Sequence, residues 1–409
     1  DYGRWTLDLF NLMEFDCFVI GNHEFDWGIE EILKYHDGIK ENGEANFPLL
    51  AANVFYKGTD TMLENTVPYV VLDKGDKKVG VIGTIGYRLE STIITYNIED
   101  YEFGKPQDSI KKYAPKLRNL GCDVIISVSH DSGNTANSYI SSLKNEEKVD
   151  LILNAHDHVI KIDSSNGIPV LEAGSDGRAI GSVLFKFDIN GKIIDKKLDN
   201  ISSDPLLNVK NEEIDLMINQ YKNLLDEEFG KSIISPSYYI NKNELSTWIG
   251  KLMAIATSSS LGFQNSGGTR EGLYAYQPID GYKIFDILPF DNVVVTLELS
   301  GANLVSFLSS YGTDTYYAGI DVGQISSQAI YKIATNDYIY YKYSTLQKYG
   351  QNVKIHDDLV LRDLMKEELE LQSQYEEYFS LNNQIRTTNV NALLSFLNVN
   401  VANGFVYYS

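Results

Sequence analysis

Four of the six histidines in this chain follow short apolar runs, and each run begins after an aspartate. Imidazole nitrogens ligate divalent metals and, near neutral pH, also accept and donate protons. Any one of these histidines alone is compatible with an ordinary structural role. Four at matching positions indicate a shared site. The three segments are Asp16 to His23, Asp123 to His130 and Asp150 to His158.

The apolar runs predict strands buried on both faces of a sheet. Ligands of such α/β sheets bind beyond the carboxyl ends of the strands, so the side chains at those ends are expected to converge. His156 and His158 have the spacing that puts both imidazoles on one side of an extended chain. Asn22 adds an amide oxygen, which also ligates metals, and Asp26 adds a carboxylate close to His23.

Further elements are predicted around these strands. Phe15 to Ile20 is expected to form the first strand and to lead through Gly21 into a helix from Ile29 to Tyr35, while Leu7 to Leu12 is interpreted as the approach to that strand. The remaining segments are buried strands at 49–54 and 78–86, an amphipathic helix at 109–120, a strand and turn at 168–178, and a hairpin at Asn190-Gly191. Together they predict a layered α/β domain spanning residues 1–205.

The second half of the chain has a different character, with more tyrosine and asparagine. Residues 206–235 are interpreted as a linker that contains a charged helix from Glu212 to Phe229, although a solvated helix without a special role fits equally well. Residues 236–409 are predicted to form a mixed α+β domain. Its expected elements are helices at 247–256 and 362–374, a strand at 293–301 and a strand end at 331–338.

Length and composition limit the classes of function. A chain of 409 residues predicts two domains, and a net charge of −21 argues against a nucleic-acid polymer as partner. No apolar run is long enough for a membrane helix. Cys17 and Cys122 are interpreted as buried apolar residues, which excludes a disulfide scaffold. Because the sequence starts at Asp1 without a methionine, a removed leader or a cropped chain is expected.

The octapeptide Gly21 to Gly28, GNHEFDWG, resembles the GNHE block of calcineurin-like metallophosphoesterases, and most of all their branch of 5′-nucleotidases and UDP-sugar hydrolases. Asn265 to Arg270 is similar to the Asn-x-Gly-x-x-Arg element of the 5′-nucleotidase C-terminal domain. Leu288-Pro289-Phe290 is similar to its Leu-Pro-Phe block. The resemblance implies an αββα sandwich, lacking its first strand region, followed by a mixed α+β domain.

The resemblance also implies two divalent metal ions, Zn, Mn or similar. Imidazole and amide or carboxylate oxygen suit such ions. The metal ligands implied are Asn22, His130 and His156 for one ion and His158 for the other. His23, paired with Asp26, would stabilise charge or protonate the leaving oxygen. From the sequence alone, Asp26 is equally interpretable as the N-cap of the helix that follows.

In the second domain the resemblance implies a nucleoside pocket. Phe290 would stack on the base, with Tyr338 on its other face, while Asn265 and Arg270 would supply polar contacts. The alternative is that Phe290 is an ordinary core residue. Base stacking tolerates any base, so the resemblance leaves base specificity open.

Three family features are missing from the sequence. No Asp-x-His or Gly-Asp motif precedes Gly21, which predicts a fragment or a degenerate copy of an active ancestor. Tyr338 to Ser344 replaces the Gly-Gly-Asp-Gly turn that holds ribose hydroxyls in the family. Asn241 to Glu244 stands where the family has an arginine before a helix.

The function predicted is metal-dependent hydrolysis of nucleotide phosphoesters by metal-activated water, with a small nucleotide or phosphoester as substrate. The alternatives are a UDP-sugar or 2′,3′-cyclic nucleotide hydrolase, and a non-catalytic surface or binding protein that retains the fold. By resemblance, an extracellular, periplasmic or cell-surface location is expected. The sequence leaves the oligomeric state open.

Overall fold

The computed structural model describes residues 2–131, 133–202, 209–310 and 315–387. The chain forms two compact units, residues 1–221 and 222–409. The division falls inside a helix, Glu212–Phe229, which was predicted with the same bounds. The predicted domain limits at 205 and 235 stay predictions, because residues 203–208 lie outside the described part of the chain.

The first unit is mainly β-structure with a few helices. Its helices, with the one that reaches the second unit, are α1 (Arg4–Leu12), α2 (Glu30–Leu33), α3 (Pro106–Asn119), α4 (Asn134–Ser142) and α5 (Glu212–Phe229). Its strands are β1 (Phe18–Val19), β2 (Leu49–Leu50), β3 (Val54–Tyr56), β4 (Tyr69–Lys74), β5 (Lys77–Ile85), β6 (Tyr101–Phe103), β7 (Val124–His130), β8 (Leu151–Asn154), β9 (Ile160–Ser165), β10 (Ile168–Ala173), β11 (Ile180–Phe187) and β12 (Ile193–Ile201).

A six-stranded sheet in the order β4-β5-β7-β8-β10-β9 is the centre of this unit. The four inner strands run parallel, and β4 and β9 are antiparallel edges. Helix α3 buries Ile110 and Leu117 in a core that also contains Ile125 of β7. Because β7 and β8 are parallel neighbours, their carboxyl ends meet at the same edge of the sheet, as predicted.

The short parallel pair β1–β2 packs closely on β5. At Gly83 of β5 a β-carbon would lie 2.4 Å from Cβ of Leu50 and 2.9 Å from Cγ2 of Val19. Only a residue without a side chain allows this approach. The predicted strand Phe15 to Ile20 is therefore present, but only Phe18–Val19 has ladder pairing.

Leu7 to Leu12 belongs to helix α1, so the prediction of a strand approach there is wrong. Leu7 is buried, and the ring of Phe10, three residues later, stacks on Phe15 with centroids 4.5 Å apart. Apolar residues three positions apart lie on one face of a helix. This local aromatic cluster decides the conformation over the apparent alternation of the sequence.

The second unit is a mixed α+β structure. Its helices are α6 (Lys242–Ala256), α7 (Gly281–Ile287), α8 (Gly301–Ser310), α9 (Asp337–Lys342), α10 (Ser344–Tyr349) and α11 (Leu361–Ser373). Its strands are β13 (Leu261–Asn265), β14 (Val293–Ser300), β15 (Thr315–Gly319), β16 (Ile330–Asn336) and β17 (Gln351–Val360), in the sheet order β15-β13-β16-β14-β17.

Helix α6 begins five residues earlier than its predicted start because Asn241 and Glu244 form a capping box. The side chain of Asn241 accepts hydrogen bonds from the backbone N–H groups of Asn243 and Glu244, and the carboxylate of Glu244 accepts one from the backbone N–H of Asn241. This reciprocal arrangement satisfies free N–H groups of the first turn. The residues that stand where the family has an arginine therefore start a helix.

Among the described residues, no helix is both long and apolar enough to cross a membrane.

Candidate functional site

The loop after β1 is held by its own backbone and by the core. Gly21 N–H donates to the carboxylate of Glu24 at 2.6 Å, and Phe25 is fully buried. Between them, His23 to Phe25 form a single 3-10 turn that starts at the buried residue Asn22. Burial raises the pKa of Glu24, and the hydrogen bond from Gly21 partly offsets this effect. The turn thus fixes Asn22 inward and leaves His23 exposed.

His130, at the end of β7, meets Asn22 directly. Its Nε2 lies 2.9 Å from Oδ1 of Asn22. The ring also packs on Gly21, where a β-carbon would lie 2.9 Å from both Cε1 and Nδ1 of His130. The glycine between the apolar run and Asn22 is therefore required for the close approach of the two strand ends.

His156, beyond the end of β8, completes the convergence of the three strand ends. Its ring centroid lies 5.2 Å from that of His130, with the planes at 71°. Burial, followed by the nearby imidazole of His156, lowers the pKa of His130 to about 4. Burial also lowers the pKa of His156, with an opposing contribution from Asp157. Both rings are therefore neutral near pH 7, which is the form that ligates metals.

The segment from His156 to His158 is not extended, so the predicted geometry of two imidazoles on one side of an extended strand is wrong. The backbone φ angles of His156 and His158 are +87° and +59°. Left-handed conformations cost non-glycine residues roughly 1–2 kcal/mol each. His158 is exposed, yet close enough to His130 to contribute to the lowering of its pKa.

A buried carboxylate stabilises this strained segment by hydrogen bonds to its backbone. Glu172 of β10 is 5% exposed, and its side chain accepts hydrogen bonds from the backbone N–H groups of Asp157 and Val159, with 3.4 Å for Val159. These two residues flank His158. Burial raises the pKa of Glu172, and both backbone hydrogen bonds oppose that effect.

His23 and Asp26 form a pair at the rim of this site. Nδ1 of His23 lies 2.8 Å from Oδ2 of Asp26, and the His23 side chain is 47% exposed. Helix α2 begins at Glu30 after Ile29, so Asp26 is not its N-cap. The side chain of Asn97 donates to the carbonyl of Asp26 at 2.9 Å and thereby anchors the turn.

The residues at the three strand ends fit one divalent ion. Two donor atoms bound to the same ion at about 2.1 Å lie roughly 3 Å apart when adjacent, which matches the separation of Asn22 Oδ1 and His130 Nε2. His156 supplies a second neutral imidazole beside them. An amide oxygen and imidazole nitrogens are suitable ligands for Zn or Mn.

The described residues offer fewer candidate ligands for a second ion. Within the described ranges, no group of three or more His, Cys, Asp and Glu side chains is arranged to hold a metal. His158 is the predicted ligand of a second ion, and this assignment stays a prediction. The donor set with a clear geometry is the one formed by Asn22, His130 and His156.

In the second unit the structure brings Arg270 and Phe290 together. The Arg270 guanidinium lies over the Phe290 ring, 5.2 Å from its centroid. Phe290 is half-buried and belongs to none of the buried clusters, so it is not an ordinary core residue. Arg362 donates to the carbonyl of Leu288 at 3.2 Å and pairs with Asp291, which fixes the loop that carries Phe290.

Asn265 and Tyr338 lie at the ends of neighbouring strands of this sheet. Asn265 ends β13, and its Oδ1 accepts a hydrogen bond from Asn336 at the end of β16, at 3.0 Å. Tyr338 follows in α9, where its ring packs on the core and its hydroxyl accepts from Lys342 at 3.0 Å. The placement of Tyr338 on the second face of a base stays a prediction.

Several supporting residues were not predicted from the sequence. Glu172 had a signal, because it is a charged residue inside the apolar run of β10. Arg362 had no such signal, since its partners are two backbone carbonyls and the Asp291 carboxylate, all 71 to 74 positions away. Asp337, whose carboxylate accepts from Asn292 at 2.8 Å, was also overlooked. Burial raises the pKa of Asp337.

Comparison with known proteins agrees with this arrangement. Residues 225–326 match the profile of the family described as 5′-nucleotidase, C-terminal domain. This part of the chain is similar to the C-terminal domain of 5′-nucleotidases. The fold of the chain is similar to the crystal structure of a 5′-nucleotidase precursor from Thermus thermophilus, with a TM-score of 0.76 and 18% identity over 91% of this chain and 83% of the other. The predicted fold class, a layered α/β unit followed by a mixed α+β unit, is confirmed.

Two curated relatives extend the comparison. An endonuclease from Bacillus subtilis is 26% identical over 75% of this chain and 26% of its own length. A snake venom 5′-nucleotidase from Gloydius brevicauda is 28% identical over 57% of this chain and 42% of its own length. The chain thus spans less than half of each of these two relatives.

Proposed function

We propose that this chain is the hydrolytic part of a metal-dependent phosphoesterase that acts on nucleotides. The observation that supports this most directly is the convergence of Asn22, His130 and His156 from three separate strand ends. The similarity of residues 225–326 to the 5′-nucleotidase C-terminal domain agrees with it. Strained backbone clusters at functional sites, and the positive φ angles of His156 and His158 agree with this.

The chain's own residues have distinct roles in this proposal. Asn22, His130 and His156 hold one divalent ion, and His158 is the proposed ligand of a second. When bound, such ions supply positive charge for the phosphoryl oxygens and activate water for attack. His23, oriented by Asp26, donates a proton to the leaving oxygen or stabilises its charge.

Arg270 and Phe290 of the second unit are proposed to recognise the nucleoside. Arg270 and Phe290 offer a guanidinium plane and an aromatic ring, both of which stack on bases, and base–aromatic stacking contributes about 1–3 kcal/mol. Asn265 is the proposed polar contact, and Tyr338 the proposed second stacking residue. A small nucleotide is favoured over a polymer, because the net charge of −21 repels a phosphate backbone.

An extracellular, periplasmic or cell-surface location is proposed as well. It rests on the family, one member of which is a venom protein.

The function is tested with the purified full-length protein, loaded with Mn or Zn, on AMP, UDP-glucose, a 2′,3′-cyclic nucleotide and single-stranded DNA. Phosphate or product release from AMP is expected to be fastest. His130→Gln is expected to abolish metal binding and hydrolysis. His36→Gln, a histidine of the same unit outside the site, is the matched control and is expected to keep both.

Three results would contradict the proposal. Absence of metal uptake by the intact protein favours the non-catalytic alternative. Preference for UDP-glucose or the cyclic nucleotide would contradict the proposed substrate, AMP, but not the proposed metal site. Cleavage of DNA in preference to all small substrates would overturn the charge argument.

A further inference from the structure

Four exposed tyrosines on the second unit have no part in the proposed hydrolysis. Their exposed fractions are 56% for Tyr239, 55% for Tyr274, 67% for Tyr276 and 39% for Tyr378. The rings form two pairs, with centroids 5.5 Å apart for Tyr239–Tyr274 and 5.8 Å apart for Tyr276–Tyr378. Clustered exposed aromatic residues mark interaction sites. These four residues are called the tyrosine surface below.

The backbone beneath the tyrosine surface is firmly held. The N–H of Tyr276 donates to the carbonyl of Pro236 at 2.8 Å, and the N–H of Phe379 donates to the carbonyl of Ser235 at 2.8 Å. Residues adjacent to the exposed tyrosines point inward instead. They are Ile240, Leu273 and Phe379, all at most 1% exposed. Since inward anchors fix the outward rings, little ordering is needed when a partner binds.

Charge restricts the partner that this surface can accept. The chain carries a net charge of −21, and exposed Glu377 stands directly beside Tyr378. The negative charge and hydrogen bond of Glu377 raise the pKa of the Tyr378 hydroxyl. No salt bridge between described residues involves Glu377. A second copy of this acidic chain, or a nucleic acid, would meet repulsion here, whereas a cationic segment would be attracted.

The chain itself contains an example of this recognition next to the surface. The Arg386 guanidinium lies over the ring of Tyr375, 4.7 Å from its centroid, and its Nη2 is 2.8 Å from Oε1 of Glu376. A tyrosine face and a neighbouring glutamate thus hold one arginine between them. Tyr378 and Glu377 form a second pair of an aromatic ring and a neighbouring carboxylate. Among the described residues, no arginine forms a salt bridge with Glu377.

We propose that the tyrosine surface docks an arginine-rich segment of a partner protein. Guanidinium groups would lie over the exposed ring faces, and Glu377 would provide the counter-charge. This inference does not depend on the proposed hydrolase activity, since none of these residues belongs to the candidate site.

The test uses the full-length protein and a fluorescently labelled nona-arginine peptide, with chitohexaose as an uncharged comparison ligand. Replacing all four tyrosines by serine is expected to weaken peptide binding by about tenfold or more. Tyr349→Ser, which removes a tyrosine 42% exposed elsewhere on the same unit, is the matched control and is expected to change nothing. Glu377→Gln is expected to weaken binding several-fold and to reduce its dependence on salt.

Two results would overturn the proposal. Equal binding of nona-arginine to the wild type and the four-serine variant would show general attraction to an acidic chain. Tyrosine-dependent binding of chitohexaose, without tyrosine-dependent binding of the peptide, would make the surface a carbohydrate platform. If the four-serine variant does not fold, as judged by circular dichroism, the single variants Tyr276→Ser and Glu377→Gln decide by the same criteria.

Discussion

The imidazole Nε2 of His130 and the side-chain oxygen of Asn22 lie 2.9 Å apart, although 108 positions separate the two residues in the chain. The contact joins the ends of β1 and β7, which are not neighbours in one sheet. The contact depends on how closely the backbone at Gly21 approaches the imidazole ring of His130. The consequences of changing that approach are measurable.

Gly21→Ala is expected to displace His130. The added β-carbon would lie 2.9 Å from two ring atoms of His130, a distance that real β-carbons essentially never show, and a tight 3.0 Å from the Glu24 carboxylate. Misplacing a reacting group by about 1 Å costs roughly a hundredfold in rate, so a loss of that order in kcat/KM is expected. Gly323→Ala, where the nearest atom is 3.7 Å away, is the control. Full activity of Gly21→Ala would refute the close-packing argument.

Asp26→Asn is expected to lower kcat on AMP by about 10²-fold, because Asp26 orients His23 at 2.8 Å for proton transfer to the leaving oxygen. A phosphoester with a good leaving group needs this proton less. The loss should therefore be much smaller with p-nitrophenyl phosphate. Equal losses on both substrates, measured under the same metal loading, would rule out a role in leaving-group protonation.

Glu172→Ala is expected to weaken metal binding by about 10- to 100-fold, the usual effect of losing a residue that orients ligands. Its carboxylate accepts the backbone N–H groups on both sides of His158. Glu172→Gln keeps one acceptor oxygen and should be intermediate. Isothermal titration with Mn separates this role from folding stability. A variant that melts earlier but binds Mn normally would make Glu172 merely structural.

Phe290→Ala is expected to raise KM for AMP by about tenfold, as one lost stacking contact predicts. KM for ribose 5-phosphate, which lacks a base, should not change, and this substrate is therefore an internal control. If KM rises equally for both, Phe290 supports the loop that Arg362 holds rather than the base.

The positions of the strand ends were predictable because their signals are local. An apolar run that stops at a polar residue marks both the strand and its end, as at Val124–His130. Helix α1 was predicted wrongly because its residues also alternate as in a strand, although Leu7 and Phe10 have helical spacing and Phe10 stacks on Phe15. The meeting of His130 and His156 followed from sheet topology, because the carboxyl ends of parallel strands meet at one edge, whereas Asn22 comes from a separate sheet.

The finer geometry of the site could not be predicted. The residue type of His156 and His158 does not indicate a left-handed backbone, because the loop between β8 and β9 imposes that conformation. The charge of Glu172 inside an apolar run is a sequence signal, but its hydrogen-bond partners are backbone N–H groups, which carry none. Residue types therefore predicted the candidate ligands, while their orientation depended on contacts between distant segments.

The positive φ angles of His156 and His158 lower the stability of the fold while they keep two imidazoles at the candidate metal site. Glycine or asparagine would occupy these positions with less strain, and each exchange would remove a nitrogen donor. Directed evolution for higher melting temperature alone would thus tend to erase the imidazoles first. A screen that scores catalysis and thermal tolerance together should keep both histidines and find its gains elsewhere.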